Sequence, residues 1–180
     1  MKRSKIFIII FFVILAAGFI SLYLIKKGLY PVIIINSEIV WGYNLHKEAK
    51  AAEHYYKQTL AVYEKEEAKE TNYNQIIVSV LENIIEKRLV SEALRQEMSD
   101  SELIASIHDT VAPYLAKPNL EQATLALYGL NLADFYELVI FPQAEKELWE
   151  KQLEKDGMDY SDWLSQAKKS SKIILLTKEF

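Results

Sequence analysis

The sequence contains no cysteine and few residues of the kinds that hold metals or phosphates. Without cysteine, disulfide bonds and thiolate metal ligands are excluded. Two of the three histidines, His46 and His54, are eight residues apart on a predicted helix, which separates them by about 12 Å, too far to share a metal ion. The five glycines stand alone, whereas a phosphate-binding loop needs several together. The sequence therefore predicts no metal and no cofactor.

The motifs of nucleophilic and acid–base catalysis are also missing. There is no Gly-x-Ser-x-Gly elbow, and the Ser-x-x-Lys spelled by residues 165–168 lacks the companion Ser-Asp-Asn and Lys-Thr-Gly motifs. Acid pairs such as Glu145 and Glu147 are typical of the solvated face of a charged helix. Carboxylate catalysis needs two acids that face each other across a cleft. We therefore expect that the protein is not an enzyme and has no small-molecule substrate.

One long hydrophobic run dominates the beginning of the chain. It starts at Ile6, ends at Ile25 and contains neither charge nor proline. As a helix rising about 1.5 Å per residue, it spans a bilayer core of roughly 30 Å. Three basic residues precede the run and two follow it, namely Lys2, Arg3, Lys5, Lys26 and Lys27. This balance favours a cytoplasmic N-terminus, and predicts a single-pass protein of the cell membrane with its domain outside the cytoplasm.

The alternative interpretation of this run is a cleaved signal peptide. The apolar region of a signal peptide is usually about 7–15 residues long and ends at small residues. Here the run is longer, and its small residues Ala16, Ala17 and Gly18 lie in its middle. The pattern therefore favours an uncleaved signal anchor in residues 1–27.

The remainder of the chain is one acidic domain. Residues 28–31 contain Gly28 and Pro31 and are typical of a short linker, and residues 32–180 have the size of one domain. The first 27 residues carry five of the 21 Lys and Arg and none of the 25 Asp and Glu, which leaves 16 basic against 25 acidic residues, a net charge of −9. Nucleic acids and anionic lipid surfaces bind basic patches, so neither is an expected partner of this domain.

Two short segments at opposite ends of the domain predict a small sheet. The β-branched residues 32–35 and 38–41 flank Asn36 and Ser37, and asparagine tolerates the left-handed backbone of a tight hairpin turn. Residues 172–177 are a short apolar run with lysine on both sides, which predicts a strand. Because an isolated hairpin is barely stable, we expect this third strand to complete the sheet.

The segment between these strands has helical periodicity. A first helix extends from Leu45, and a wide apolar stripe from about Asn74 predicts a central helix that packs on several sides. Ser99 and Glu102 form a capping box that opens a further helix. Pro113 and Pro118 end that helix or kink it. The signals that follow predict four shorter helices. They are Asn119 or Leu120 to Tyr128, closed by Gly129; Leu132 to Phe141, capped by Asn131; 143–155, with Pro142 as a break or as the first turn; and a last helix capped by Ser161. The predicted fold class is mainly α, with one N-terminal transmembrane helix and a small sheet.

Aromatic residues are abundant, with eleven Tyr, seven Phe and three Trp. Most aromatic side chains fill cores, but Tyr and Trp also suit surfaces that grip extended polypeptides by adaptable apolar contacts. Tyr55 and Tyr56 are adjacent on the first helix of the domain, so they cannot both face its core. The candidates for binding an unfolded client are Trp41, Tyr43, Tyr55, Tyr56, Tyr114, Tyr128, Tyr136 and Trp149.

Five segments together resemble one protein family in their order and spacing. Residues 32–39 (VIIINSEI) are similar to its opening Val-Asn-Gly-Glu-x-Ile pattern, and residues 80–93 to its central helix. Residues 99–102 resemble the start of the next helix, residues 128–135 a Gly-Leu-Ser-x-x-x-Phe step, and residues 162–174 the segment that returns to the hairpin. The family is the SurA N-terminal chaperone domain of SurA-, PpiD- and PrsA-like proteins. Ser37 in place of glycine, and Trp41 with Gly42, depart from its pattern.

The resemblance implies a chaperone or holdase module with the fold of that domain. Many members also carry a parvulin prolyl isomerase domain, for which this chain has no room, so isomerase activity is not expected. The implied partners are unfolded or nascent secreted and envelope polypeptides, bound without ATP. The alternative is a non-catalytic scaffold or adaptor that docks one folded envelope partner.

Overall fold

A computed structural model describes residues 2–63 and 72–176 of the chain. It is mainly helical with a small three-stranded antiparallel sheet, which confirms the predicted fold class at that level. After α1 (Lys2–Lys26) and the sheet's first hairpin, the helical elements are α2 (Gly42–Tyr63), α3 (Tyr73–Glu97), α4 (Asp100–Leu115), α5 (Leu120–Tyr128), α6 (Leu132–Phe135), a π-helical turn (Tyr136–Ile140), α7 (Phe141–Lys155) and α8 (Tyr160–Ser170).

The sheet joins the two ends of the domain as predicted. Its strands are β1 (Pro31–Ile35), β2 (Glu38–Trp41) and β3 (Ile173–Leu175), in the order β2-β1-β3. Asn36 takes the left-handed backbone of the hairpin turn, with φ at 53°. Its side-chain oxygen also accepts a 3.0 Å hydrogen bond from the Lys172 amide, so the turn residue helps to align β3. Thr177, at the end of the predicted strand, lies outside the described residues.

The helix ends follow local capping signals, with one correction. Ser99 and Glu102 form the predicted capping box, and Gly129 closes α5 with φ at 65°. The Asn131 side chain accepts a 2.8 Å hydrogen bond from the Asp134 amide. The last helix is capped by Asp159 and not by Ser161, because the Asp159 carboxylate reaches the Ser161 and Asp162 amides.

The two internal prolines do not end their helices. Pro113 lies inside α4, which continues to Leu115. Pro142 lies in the first turn of α7, where its missing N–H is tolerated, and the chain from Leu132 to Lys155 stays helical through the π-helical turn. Of the two predicted roles of Pro142, a break or the first turn of the next helix, the structure has the second, and no gap separates that helix from the one before it.

Helix α3 contributes to two hydrophobic clusters and is the central helix that its wide stripe predicts. One cluster packs its first half against the sheet and α2, and the other packs Val90 and Leu94 against α4 and α7. Trp149 of α7 belongs to the second cluster and is only 7% exposed. The structure therefore removes Trp149 from the exposed aromatic candidates, because its indole fills the core.

The predicted linker is a hydrogen-bonded junction. Gly28, with φ at 68°, closes α1 by two bonds, from its own amide to the Ile25 carbonyl and from the Leu29 amide to the Leu24 carbonyl. This is the Schellman arrangement, in which a glycine in left-handed conformation ends the helix. The Gly28 carbonyl then accepts a 2.8 Å hydrogen bond from the Tyr43 amide. The end of α1 is thereby bonded to the start of α2.

A helix that crosses a bilayer needs about 20 consecutive, mainly apolar residues. Among the residues that the structure describes, no single helix is long and apolar enough to cross a membrane. A shorter apolar helix covers Ile10–Lys26, and α5 together with Leu132–Lys155 meets the requirement only as a pair bent by 76°.

Candidate functional site

The π-helical turn between α6 and α7 is the most unusual backbone feature near the described cavities. Its wider hydrogen bonding runs from the Phe141 amide to the Tyr136 carbonyl. Pro142 has no N–H, so it cannot donate to the carbonyl of Leu138, four residues earlier. Lys87 of α3 bonds to that carbonyl instead, at 2.8 Å. Such single π turns in helices are frequent at functional sites.

An apolar cavity of about 400 Å³ opens between α4, the start of α5, the π-helical turn and α7. Six residues supply most of its apolar wall: Val111, Leu120, Phe135, Val139, Ile140 and Ala144. Tyr114 and Lys117 stand at its edge, with the Lys117 ammonium 5.2 Å from the centre of the Tyr114 ring. We call this the apolar cavity.

A second cavity of about 320 Å³ shares Val139 and Gln143 with the apolar cavity. It is more polar, because Glu86 lies in it and accepts 2.8 Å hydrogen bonds from both Lys146 and Tyr160. Burial opposes ionisation of Glu86, but these two hydrogen bonds outweigh it and lower the pKa of its carboxyl group. Burial, together with the Glu86 carboxylate, raises the pKa of the Tyr160 hydroxyl.

A row of three aromatic rings connects the two cavities. Tyr55 of α2 stacks on Tyr128 of α5, with ring centres 4.9 Å apart and planes inclined by 13°. Tyr128 contacts Phe135 of α6 at 5.0 Å. Tyr55 and Tyr128 line the second cavity, and Phe135 lines the apolar cavity. Offset and tilted ring pairs at such distances are favourable, so the row is a preformed apolar surface.

Exposed aliphatic side chains also lie on α5 and α4, which border the apolar cavity, and the sequence patterns did not single them out. Thr124 is the one buried residue of α5, whereas Leu125 and Leu127 are exposed. On α4, Ile104 and Leu115 are exposed as well. The exposure of Leu125 could have been predicted, because Leu125 lies outside the stripe that Leu120, Thr124 and Leu127 form at helical spacing.

The structure places the predicted aromatic candidates in five different environments. Tyr55, Tyr114 and Tyr128 line the two cavities. Tyr43 lines a separate polar cavity of about 460 Å³ next to Lys47 and Lys87. The other four candidates lie elsewhere, with Trp41 and Tyr56 exposed, Tyr136 half-buried against the Phe141 ring, and Trp149 in the core.

Three titratable side chains, His46, His54 and Glu145, have hydrogen-bonding partners in the structure. His46 shares a 2.8 Å hydrogen bond with the Tyr30 hydroxyl, and His54 contacts the Ala126 carbonyl at 3.0 Å. Glu145 does not lie on a solvated face, because α7 turns it toward α3, where Ser91 donates to it at 3.0 Å. Burial raises the pKa of Glu145, and the Ser91 hydroxyl, Arg95 and Arg88 oppose this effect.

The arrangement offers apolar walls, aromatic faces and a few charged groups at the edges, which is suited to binding polypeptide side chains. Across residues 2–63 and 72–176, no cluster of three or more acidic or histidine side chains could hold a metal ion. Comparisons with protein-family models, curated proteins and solved structures gave no match.

Proposed function

We propose that this chain is a membrane-anchored, extracytoplasmic holdase that binds unfolded or newly translocated polypeptides without ATP. The observation that carries the proposal is the apolar cavity, whose wall is formed around the π-helical turn and whose edge carries Tyr114. Its volume of about 400 Å³ lies within the usual range for ligand pockets, about 300–1,000 Å³. Apolar side chains of a client enter this cavity, and the aromatic row extends the contact toward the second cavity.

The distribution of apolar groups supports a client that is extended and variable in sequence. Leu125, Leu127 and Leu115 are exposed on the helices that border the two open cavities, so apolar contact is spread over a surface. Exposed apolar surface of this kind marks interaction sites. Contacts of this kind depend little on client sequence, so affinity for any one segment is weak to moderate.

The membrane anchor in this proposal is supported by the run from Ile6 to Ile25, which has no charge. Every described side chain of that run, from Ile10 onward, is exposed. The resemblance to the SurA N-terminal domain supports the same function, since it implies a hairpin, a set of helices and a returning strand in this order. The cytoplasmic N-terminus follows from the basic residues before the run.

The adaptor alternative is favoured by one observation. Lys117 and Glu147, of opposite charge, stand on the same apolar cavity. A single folded partner with complementary charges would use both groups, and its binding would be specific. Crosslinking of the full-length protein in its own membrane separates the two functions, because a holdase captures many unrelated envelope proteins and an adaptor captures one.

The holdase function is tested by aggregation of a chemically unfolded client in the presence of the full-length protein in lipid nanodiscs. We expect the protein to delay aggregation, and Tyr114→Ser to weaken the delay. Tyr56→Ser is the matched control, because Tyr56 has nearly the same exposure (45% against 46%) and lines neither cavity. No delay at several-fold molar excess, or equal loss in both variants, would contradict the proposal.

A further inference from the structure

The candidates Trp41 and Tyr43 are held beside the junction at the end of α1. The Tyr43 amide donates to the Gly28 carbonyl at 2.8 Å, and the Gly42 amide donates to the Tyr30 carbonyl at 2.9 Å. Trp41 is paired with Pro31 in the sheet. Backbone hydrogen bonds and strand pairing therefore hold residues 41–43 beside the junction that follows α1, and the Trp41 side chain is exposed.

The sheet presents an apolar face on the side away from the core. Ile33 and Ile35 of β1 are buried, so Ile34 between them points to the opposite face. Ile34 is paired with Ile39 on β2 and with Ile174 on β3, which forms a row of three isoleucines across the sheet. Trp41 lies two residues beyond Ile39 and is on the same face. We call this row with Trp41 the outer sheet face.

We propose that the outer sheet face rests in the interface of the membrane that holds α1. The inference rests on the proposed anchor and adds the orientation of the domain. Trp and Tyr concentrate where a protein crosses from lipid tails to headgroups. Tyr23, Lys26 and Lys27 mark that level on α1, and the junction leaves only Gly28, Leu29 and Tyr30 before β1.

A lipid surface fits this face better than a charged partner does. The face consists of isoleucine and tryptophan, and the domain beyond residue 27 carries a net charge of −9, so anionic headgroups would not attract it. The contact is therefore apolar and aromatic. It also separates the aromatic candidates, since Trp41 faces lipid while Tyr55, Tyr114 and Tyr128 remain for clients.

The absence of cysteine allows the orientation to be measured with single nitroxide labels. The full-length protein carrying Ile39→Cys is reconstituted into phosphatidylcholine vesicles, and the collision rates of the label with oxygen and with a water-soluble nickel chelate are compared. Leu125→Cys, an exposed α5 position away from the sheet, is the matched control, and Leu15→Cys reports on the anchor. Leu29→Cys serves as a second label near the junction.

We expect the ratio of oxygen to nickel collisions to be several-fold higher at Ile39 and Leu29 than at Leu125, and highest at Leu15. A high ratio at Leu15, with ratios at Ile39 and Leu29 equal to that at Leu125, would overturn the inference and leave the anchor standing. A low ratio at Leu15 would overturn the anchor, and the inference with it.

Discussion

The ammonium group of Lys87 donates a 2.8 Å hydrogen bond to the backbone carbonyl of Leu138. Leu138 stands four residues before Pro142, which has no N–H to offer that carbonyl. A lysine on α3 thus supplies the donor that proline removes from its own helix. The same ammonium bonds Glu48 of α2 at 2.8 Å, so α2, α3 and the π-helical turn meet at one charge.

Replacing Lys87 with methionine is expected to destabilise the protein. The change keeps the length of the side chain but leaves the Glu48 carboxylate and the Leu138 carbonyl without this donor, at a cost of about 1–3 kcal/mol. Urea unfolding of the full-length protein in detergent micelles, followed by circular dichroism, measures the loss. Lys57→Met is the control, because its ion pair with Glu53 is exposed and its loss costs less than about 1 kcal/mol.

The role of Pro142 is tested by a double-mutant cycle. Pro142→Ala restores an N–H that can bond to the Leu138 carbonyl, so Lys87→Met should cost less in that background. An equal cost with and without Pro142 would show that Lys87 acts through Glu48 alone.

Glu145→Gln is expected to stabilise the protein at neutral pH. Burial raises the pKa of Glu145, so folding favours its protonated form. A raised folded-state pKa contributes stability below the unfolded value, about 4.3, and that stability is lost as pH rises through the folded pKa. Glutamine keeps an oxygen for the Ser91 hydroxyl and carries no charge.

The measurement for Glu145 is the free energy of unfolding of both proteins as a function of pH. The advantage of Glu145→Gln should grow from about pH 4.3 upward and then level off. Glu97→Gln, at an exposed position, should change stability by less than about 0.5 kcal/mol at neutral pH. An advantage that is the same at all pH values would contradict the assignment.

Gly28→Ala is expected to weaken the junction between α1 and the domain. Its φ of 68° disfavours any side chain, and an added Cβ would lie 2.5 Å from the Tyr43 amide nitrogen. Gly157→Ala is a matched control, with φ at 69° and no heavy atom within 4 Å of the added Cβ. Gly157→Ala should cost about 1–2 kcal/mol of unfolding free energy, and Gly28→Ala more. Equal costs would show that the contact with Tyr43 is easily relieved.

Tyr55→Leu is expected to loosen α5. Thr124 is the only buried residue of that helix, so the stack of Tyr55 on Tyr128 is one of its main attachments to α2. Such a pair contributes about 0.5–1.5 kcal/mol beyond its buried area. Amide hydrogen exchange in α5 should therefore speed up by several-fold, and Tyr56→Leu should leave it unchanged. Similar exchange in both variants would argue against the stack as the attachment.

Much of the fold could be predicted because its signals act over a few residues. The capping box of Ser99 and Glu102, the left-handed Gly129 and the Asn36 turn each depend on groups within four positions of one another. The error at the last helix is of the same scale, since Asp159 and Ser161 are both good caps and only two residues apart.

The candidate site was predicted only in part, because composition does not reveal which faces meet. The sequence offers the same grounds for exposing Trp149 as for exposing Tyr114. In the structure, Trp149 is buried by packing against α3 and α4, whereas Tyr114 lies at the edge of the apolar cavity. Glu145 was expected on a solvated face, and the packing of α7 against α3 turned it inward.

Local backbone preference and periodicity suffice to predict the uncharged run from Ile6 to Ile25, several helix caps but not that of the last helix, the hairpin and the returning strand. The tertiary structure decided the bond from Lys87 to Leu138, the cavities around the π-helical turn and the separation of Trp41 from Tyr114. These features join residues far apart in the chain, and their burial and pairing exist only once helix faces have packed together.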